Sequence, residues 1–167
     1  MRSLIKCITT DKLTRLMPFS EAVRAVEAGA KELDMVINWP LLKKQQYPKV
    51  YSDILAVRDV APHLIILKVI LETSQLSRHE IVAACKLAEA ARAEFVKTST
   101  GFNGPGATRE HVALMKAVVG DGVKVKASGG VKTVSDCVLM MEAGAERIGT
   151  SNGVVVMDEA KTMLEKN

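Results

Sequence analysis

Three segments of the sequence share one pattern: AGAKELD at residues 28–34, ARAEFVK at residues 91–97 and AGAERIG at residues 143–149. In each, an Ala-x-Ala triplet stands where a helix is expected to end, and a short run typical of a β-strand follows it. The three segments are therefore predicted to be structural equivalents. The fourth residue after the second alanine is Asp34, Lys97 or Gly149. We expect these three residues to occupy one layer of a sheet.

Around these segments, strand-like runs alternate with runs of helical periodicity, which is typical of β/α units that build a parallel sheet. Five strands are predicted, at residues 32–37, 64–71, 94–99, 123–127 and 147–150. Ser77 and Glu80 form an S-x-x-E capping box at the start of one helix. Gly29, Gly120 and Gly144 stand where helices are expected to end with a left-handed residue.

Charged residues interrupt the predicted strands, although strands buried between layers of helices are normally almost all apolar. These residues are Asp34, Lys68, Glu72, Lys97, Lys124 and Lys126. A (β/α) barrel accommodates them, because side chains that face its axis near the carboxyl ends of the strands form the active site. The G-x-G-x-x-G fingerprint of dinucleotide-binding sheets follows none of the predicted strands. We therefore predict an α/β fold of the TIM-barrel type with about five of its eight β/α units.

Lys97 is the best candidate nucleophile. A lysine in a buried strand loses hydration of its charged form, which lowers its pKa and makes the free amine accessible near neutral pH. The sequence around Lys97 fits equally well with a lysine that reaches solvent or pairs with a carboxylate at a strand end.

Lys126 strengthens the first interpretation, because two ammonium groups that face one cavity lower each other's pKa. Lys124 has the same parity along its strand, and we expect it to be a solvated charge at the strand's entry. Asp34 is predicted to exchange protons through a water molecule and to offset the two cations. A plain counter-ion is the alternative for Asp34.

Glycine-rich loops follow the last two predicted strands, with Gly129 and Gly130 in one and Gly149, Ser151 and Asn152 in or beside the other. TIM-type barrels commonly bind phosphate in the loops after strands seven and eight, where backbone N–H groups are accessible. These loops are predicted to form a phosphate site, although a lone Gly-Gly is more often an ordinary turn. The loop at residues 101–106 lacks Gly-Lys-Ser/Thr, so a nucleotide P-loop is not expected.

Composition excludes several other classes of protein. The 167 residues carry a net charge of +4, but only three Phe, two Tyr and one Trp and no dense basic run, so a small anionic ligand explains the charge as well as nucleic acid does. We predict no nucleic-acid partner. No apolar run approaches the roughly 20 residues of a membrane helix, and no membrane partner is expected. We predict a cytoplasmic protein with three reduced cysteines. The three histidines are isolated in the sequence, so we expect metal-independent chemistry with no cofactor.

Five motifs together resemble the deoxyribose-phosphate aldolases, a family of class I aldolases with a TIM-barrel fold. They are ELDMVIN at 32–38, LKVILET at 67–73, VKTSTGF at 96–102, KASGGV at 126–131 and RIGTS at 147–151. The resemblance implies that Lys97 forms a Schiff base, that Lys126 tunes it and that Asp34 belongs to the proton relay. It also implies a sugar-phosphate site bordered by Thr100, Gly101, Gly129, Gly130, Gly149, Ser151 and Asn152.

The resemblance has local departures. Asn152 stands where many members carry a second serine, and Phe102 replaces a lysine of some members, so we expect Lys132 to meet the phosphate charge. The implied reaction is the reversible cleavage of 2-deoxy-D-ribose 5-phosphate into acetaldehyde and D-glyceraldehyde 3-phosphate, in deoxyribonucleotide catabolism.

A complete barrel has eight strands and takes about 250 residues. We therefore expect residues 1–19 to be a divergent N-terminal segment, in which residues 1–8 can form one strand, and residues 20–167 to be a partial, truncated barrel domain. Exposed sheet edges would then favour a homo-oligomer. A non-catalytic phosphate-binding or interaction remnant is the alternative function. A Schiff-base aldolase acting on keto acids is a third.

Overall fold

The structure is a computed structural model that describes residues 5–8 and 17–165. Its parallel strands are β1 Ile5–Ile8, β2 Glu32–Val36, β3 Ile66–Ile70, β4 Phe95–Lys97, β5 Lys124–Ser128 and β6 Arg147–Gly149. Its helices are α1 Met17–Glu27, α2 Trp39–Lys43, α3 Tyr47–Val60, α4 Arg78–Ala90, α5 Arg109–Val118, α6 Val134–Glu142 and α7 Gly153–Glu165, with a short 3₁₀ helix at Thr73–Gln75. None of the described helices is long and apolar enough to cross a membrane.

The strands form one sheet in the order β1-β2-β3-β4-β5-β6, so each strand lies beside its neighbour in sequence. The five predicted strands are confirmed. Four are slightly shorter than predicted, and β5 is shifted by one residue; Leu64, for example, is exposed and precedes β3. β1 adds a sixth strand and pairs with β2 in parallel. Residues 1–4 and 9–16 of the predicted N-terminal segment lie outside the described residues.

The three repeated segments fold alike. The middle residue of each Ala-x-Ala triplet has a positive φ, 84° at Gly29, 61° at Arg92 and 105° at Gly144. The alanine after it donates its N–H to the carbonyl five residues earlier, at 2.9 to 3.0 Å, which is the Schellman helix end. Gly120 is the exception to the prediction, because α5 ends at Val118 and the N–H of Gly120 bonds the side chain of Glu89 instead.

Alternate residues of the strands face opposite sides of the sheet. Leu33, Met35, Val69, Val96 and Val125 belong to the buried apolar core under the helices. The residues between them therefore face the inside of the curved sheet, where the charged side chains meet.

Strand stagger brings the predicted layer together. Ladder partners run Asp34, Lys68 and Phe95 across β2 to β4, and Lys97, Lys126 and Arg147 across β4 to β6. In an eight-stranded barrel of shear eight, residues at one level advance by about one position per strand. Asp34, Lys97 and Gly149 lie on alternate strands. Lys97 is two positions beyond the ladder partner of Asp34, and Gly149 is two positions beyond that of Lys97, so the register agrees with a shared layer.

Candidate active site

Asp34 is the centre of a buried group of charges inside the sheet. Its carboxylate accepts hydrogen bonds from three lysines of the next three strands: Lys68 on Oδ1 at 2.5 Å, and Lys97 and Lys126 on Oδ2 at 2.9 and 3.3 Å. The Asp34 side chain is 3% exposed, and those of Lys97 and Lys126 are 12% and 10% exposed. The two lysines thus lie on the same face of the sheet, as the sequence predicts, and share one carboxylate oxygen.

A second polar group lies on the amino-terminal side of Asp34. Glu32 forms a salt bridge with Lys68 at 2.7 Å and a second one with Arg147 at 2.7 Å. The second salt bridge joins β2 to β6. The Arg147 guanidinium also lies 4.6 Å from the centre of the Phe95 ring, within the range of a cation–π contact. Lys68 is fully buried and bridges the two carboxylates, so it holds Asp34 in place from below.

The electrostatics of the site favour an ionised Asp34. Burial by itself raises the pKa of Asp34, but the hydrogen bonds from Lys68 and Lys97 outweigh it and lower the pKa to about 2. Burial lowers the pKa of Lys126, and the positive charges of Lys97 and Lys68 lower it further, while Asp34 acts in the opposite direction.

The charges of this group do not balance. Four cationic side chains, Lys68, Lys97, Lys126 and Arg147, surround the two carboxylates of Glu32 and Asp34. Loss of a proton from one lysine relieves repulsion between like charges. The arrangement can therefore hold a neutral amine and attract an anionic ligand.

A cavity of about 460 Å³ opens above the two accessible lysines. Six of the seven residues predicted to border a sugar phosphate line it: Thr100, Gly101, Gly129, Gly130, Gly149 and Ser151. Lys132, Phe102, Ser128, Val131 and Thr150 line it as well. Asn152 is the exception, since its backbone N–H bonds the Thr150 hydroxyl and its carbonyl accepts from Val156 at the start of α7.

The loops around the opening of the cavity form its rim, and their glycines allow neighbouring loops and strands to pack closely together. Gly129 and Gly130 have φ values of 84° and 76°, which L side chains rarely adopt. A Cβ on Gly106 would lie 2.1 Å from the Gly129 backbone, so the loop after β4 packs directly on the loop after β5. A Cβ on Gly149 would lie 2.4 Å from the hydroxyl oxygen of Ser128.

Glu72 is a feature whose role the sequence does not reveal, although its charge within an apolar run marks it. It lies beyond the end of β3 and is fully buried. Its backbone has the left-handed conformation, with φ at 59°. Its carboxylate accepts from the Thr100 N–H at 3.2 Å, the Thr100 hydroxyl at 2.6 Å and the Asn103 amide at 3.2 Å. Glu72 therefore fixes the loop that carries Thr100 to the cavity wall.

Two further expectations concern the surroundings of the site. Lys124 is exposed, as expected for a charge at the strand's entry. Within residues 17–165 no group of three or more His, Cys, Asp or Glu side chains is placed to hold a metal ion.

Sequentially ordered parallel strands, outer helices and a polar centre facing a cavity at the strand ends define a protein of the β/α-barrel class. The model of the DeoC/LacD family aldolases matches residues 6–157. The chain belongs to this family.

Comparison with known proteins agrees. The chain is 55% identical over 145 residues to a deoxyribose-phosphate aldolase of Coccidioides immitis and covers 54% of that protein. It is 54% identical over 138 residues to one of Halalkalibacterium halodurans and covers 62% of it. The chain thus spans rather more than half the length of these curated relatives.

Solved structures show the same fold. A crystal structure of a putative deoxyribose-phosphate aldolase from Coccidioides immitis matches with a TM-score of 0.90 at 50% identity, over 94% of this chain and 64% of that one. The tetrameric deoxyribose phosphate aldolase from Aeropyrum pernix matches with a TM-score of 0.87 at 31% identity, over 96% of this chain and 69% of that one. The predicted α/β fold, a partial barrel of the TIM type, is confirmed.

Proposed function

We propose that this chain carries the catalytic centre of a Schiff-base aldolase that reversibly cleaves 2-deoxy-D-ribose 5-phosphate into acetaldehyde and D-glyceraldehyde 3-phosphate. The single observation that carries the proposal is the sharing of Asp34 Oδ2 by Lys97 and Lys126 at the floor of a cavity rimmed by glycine loops. The names and identities of the relatives support the same substrate. This reaction belongs to deoxyribonucleotide catabolism, which we place in the cytoplasm.

The first step is attack of the Lys97 amine on the substrate aldehyde. Lys97 lies at the end of β4, and its Nζ is held by Asp34 at 2.9 Å. Lys126 shares that oxygen at 3.3 Å, and we assign it as the second lysine that tunes Lys97 and takes part in moving the released proton. The amine adds to the carbonyl carbon, and the resulting carbinolamine loses water to give an iminium.

The second step breaks the carbon–carbon bond. A base removes the proton of the C3 hydroxyl, the C2–C3 electron pair moves toward the iminium nitrogen, and glyceraldehyde 3-phosphate leaves. The enamine that remains on Lys97 is protonated at C2, and water hydrolyses the new iminium to release acetaldehyde and the free amine. We assign Asp34 and Lys126, acting through water, to these proton transfers.

The rim is assigned to the phosphate. Backbone N–H groups of Gly129, Gly130 and Gly149 meet an anion without hindrance from a Cβ, and Thr100, Gly101 and Ser151 complete the wall. Lys132 lies on this rim and is the residue whose charge we assign to the phosphate. We also assign Asn152 to the phosphate site, because it directly follows Ser151 in the sequence.

Assembly is a separate proposal. Within the described residues, β1 and β6 are the edge strands of the sheet, and each has a neighbouring strand on one side only. We propose that these edges pair with a further chain, including a second copy of this one. The test is to measure the molecular mass of the protein in solution together with its rate of acetaldehyde release. We expect the activity in the oligomeric form.

Borohydride trapping tests the catalytic proposal. Incubation with 2-deoxyribose 5-phosphate and sodium borohydride is expected to add the mass of a reduced adduct to the protein, while pyruvate adds none. Release of glyceraldehyde 3-phosphate is measured in parallel. A folded protein that forms no adduct and releases no aldehyde contradicts the proposal and favours a non-catalytic phosphate-binding remnant. An adduct with pyruvate alone indicates a keto-acid aldolase.

A further inference from the structure

Ser128 is a buried hydroxyl at the cavity that neither the sequence analysis nor the proposed steps use. It is the last residue of β5, two positions after Lys126, so both side chains face the inside of the sheet. Ser128 is 6% exposed and lines the cavity. Within the described part of the chain, its hydroxyl oxygen is buried and has no hydrogen-bond partner.

The surroundings hold Ser128 firmly while leaving its hydroxyl unused. Its N–H donates to the Thr98 hydroxyl at 3.0 Å, and its carbonyl accepts from that hydroxyl at 2.9 Å and from the Ala107 N–H at 3.1 Å. On the adjacent strand β6, residue 149 is a glycine. A Cβ at this position would lie 2.4 Å from the Ser128 hydroxyl oxygen and 3.2 Å from Lys126 Cε. The missing side chain at residue 149 thus makes room for the hydroxyl beside the lysine.

Buried hydroxyl groups in proteins are nearly always hydrogen-bonded, because an unmade bond leaves the desolvation penalty uncompensated. A ligand in the cavity can supply the partner. Ser128 lies between Lys126, which is near the Schiff-base end, and Gly129, which begins the loop assigned to the phosphate. A sugar phosphate that reaches both ends carries its carbon chain past Ser128.

We propose that Ser128 is a specificity-determining residue whose hydroxyl bonds the substrate hydroxyl next to the phosphate-bearing carbon. This inference rests on the proposed function, since it takes the orientation of the sugar phosphate from it. A site that bonds a hydroxyl discriminates against an analogue lacking it, because the protein's buried polar group is then left unpaired. Ser128 would therefore select hydroxylated acceptor aldehydes over deoxygenated ones of the same length.

Binding of two unreactive sugar phosphates tests the inference without requiring turnover. 2-Deoxyribitol 5-phosphate retains the 4-hydroxyl and 2,4-dideoxyribitol 5-phosphate lacks it, and neither has an aldehyde. By titration calorimetry, the unmodified chain is expected to bind the first about tenfold more tightly, as one neutral hydrogen bond provides. In Ser128→Ala the two affinities are expected to agree within about twofold.

Two further variants keep the result interpretable. Ser99→Ala is the matched control, because the Ser99 hydroxyl is also buried without a partner in the described part of the chain but does not line the cavity. It is expected to keep the full preference. Gly149→Ala places a methyl group against the Ser128 oxygen and is expected to lose the preference with the serine still present.

An unchanged preference in Ser128→Ala, an equal loss in Ser99→Ala, or no preference in the unmodified chain overturns the inference. Borohydride trapping of the unmodified chain separates this from failure of the proposed function: an adduct with 2-deoxyribose 5-phosphate preserves the aldolase reaction even when Ser128 proves irrelevant. If no adduct forms, both the proposed function and the inference about Ser128 are contradicted.

Discussion

The interior of the sheet has two levels that use similar residues differently. At the lower level, Glu32 is bonded to both Lys68 and Arg147, and Lys68 is fully buried between Glu32 and Asp34. At the upper level, Lys97 and Lys126 share one oxygen of Asp34 and open onto the cavity. The lower level pairs each carboxylate with cations, whereas the upper level has more donors than acceptors.

The difference separates support from chemistry. Buried charges that are fully paired hold a geometry, and removal of one partner leaves the other uncompensated. Cations that share one carboxylate beside a cavity are not fully compensated, so they can attract an anionic ligand. Asp34 belongs to both levels, so its substitution is expected to have the largest effect.

Asp34→Asn removes the anion that three lysines share. Aldolase activity is expected to fall by about 100-fold or more, the range of a lost general acid–base group, with proton transfer slowed more than Schiff-base formation. The ratio of cleavage rate to adduct formation measures this. Asp59→Asn is the matched control, because Asp59 forms only an exposed pair with Arg92. Equal loss of both steps would make Asp34 a structural residue.

Lys68→Met tests the lower level. The change removes the fully buried cation that lies between Asp34 and Glu32, and it is expected to reduce the free energy of unfolding by about 3–5 kcal/mol. Urea unfolding measures it, with the exposed Lys86→Met as control, expected within about 0.5 kcal/mol of the unmodified chain. A change of similar size in both variants would mean that the lower level contributes no specific support.

Acid unfolding tests the charge state of Asp34. Its pKa falls from 3.8 to about 2 on folding, so its contribution is present above pH 3.8 and is lost as the pH falls through 2. The contribution corresponds to about 2 kcal/mol. Between pH 5 and pH 2, the unmodified chain should lose about 2 kcal/mol more unfolding free energy than Asp34→Asn. Parallel pH curves would contradict the assignment.

Glu72→Gln tests how far the support extends into the wall of the cavity. The neutral amide weakens the charge-assisted bond from the Thr100 hydroxyl, now 2.6 Å long, and is expected to weaken sugar-phosphate binding by about threefold to tenfold. The effect should appear mainly in KM, because the reacting lysines are not touched. Glu110→Gln, on the surface helix α5, is the control. An unchanged KM in Glu72→Gln would show that the loop is held without this carboxylate.

The two levels also differ in how much the sequence reveals. Repeated Ala-x-Ala units place Asp34, Lys97 and Gly149, and strand parity brings Lys126 to the same face, because parallel β/α units repeat one geometry. The pairing of Glu32 with Arg147 joins residues 115 positions apart and depends on the curvature of the closing sheet. No local pattern encodes that distance.

Other features that the sequence does not reveal have local physical causes. Gly120 resembles a helix end in sequence, but Glu89 of the neighbouring helix supplies its hydrogen bond. Ser128 is a common small residue, and only the missing Cβ at Gly149 reveals its space. Asn152 follows the rim in sequence but turns into the start of α7. Each depends on a neighbour that a single segment does not specify.

The position of the reduced adduct identifies the lysine that forms the Schiff base. After treatment with 2-deoxyribose 5-phosphate and borohydride, proteolytic peptides are analysed by mass spectrometry, with Lys97→Ala and Lys126→Ala treated in parallel. Modification is expected at Lys97, with complete loss in Lys97→Ala and slowed modification at the same residue in Lys126→Ala. An adduct on Lys126, or one that persists in Lys97→Ala, would contradict this assignment.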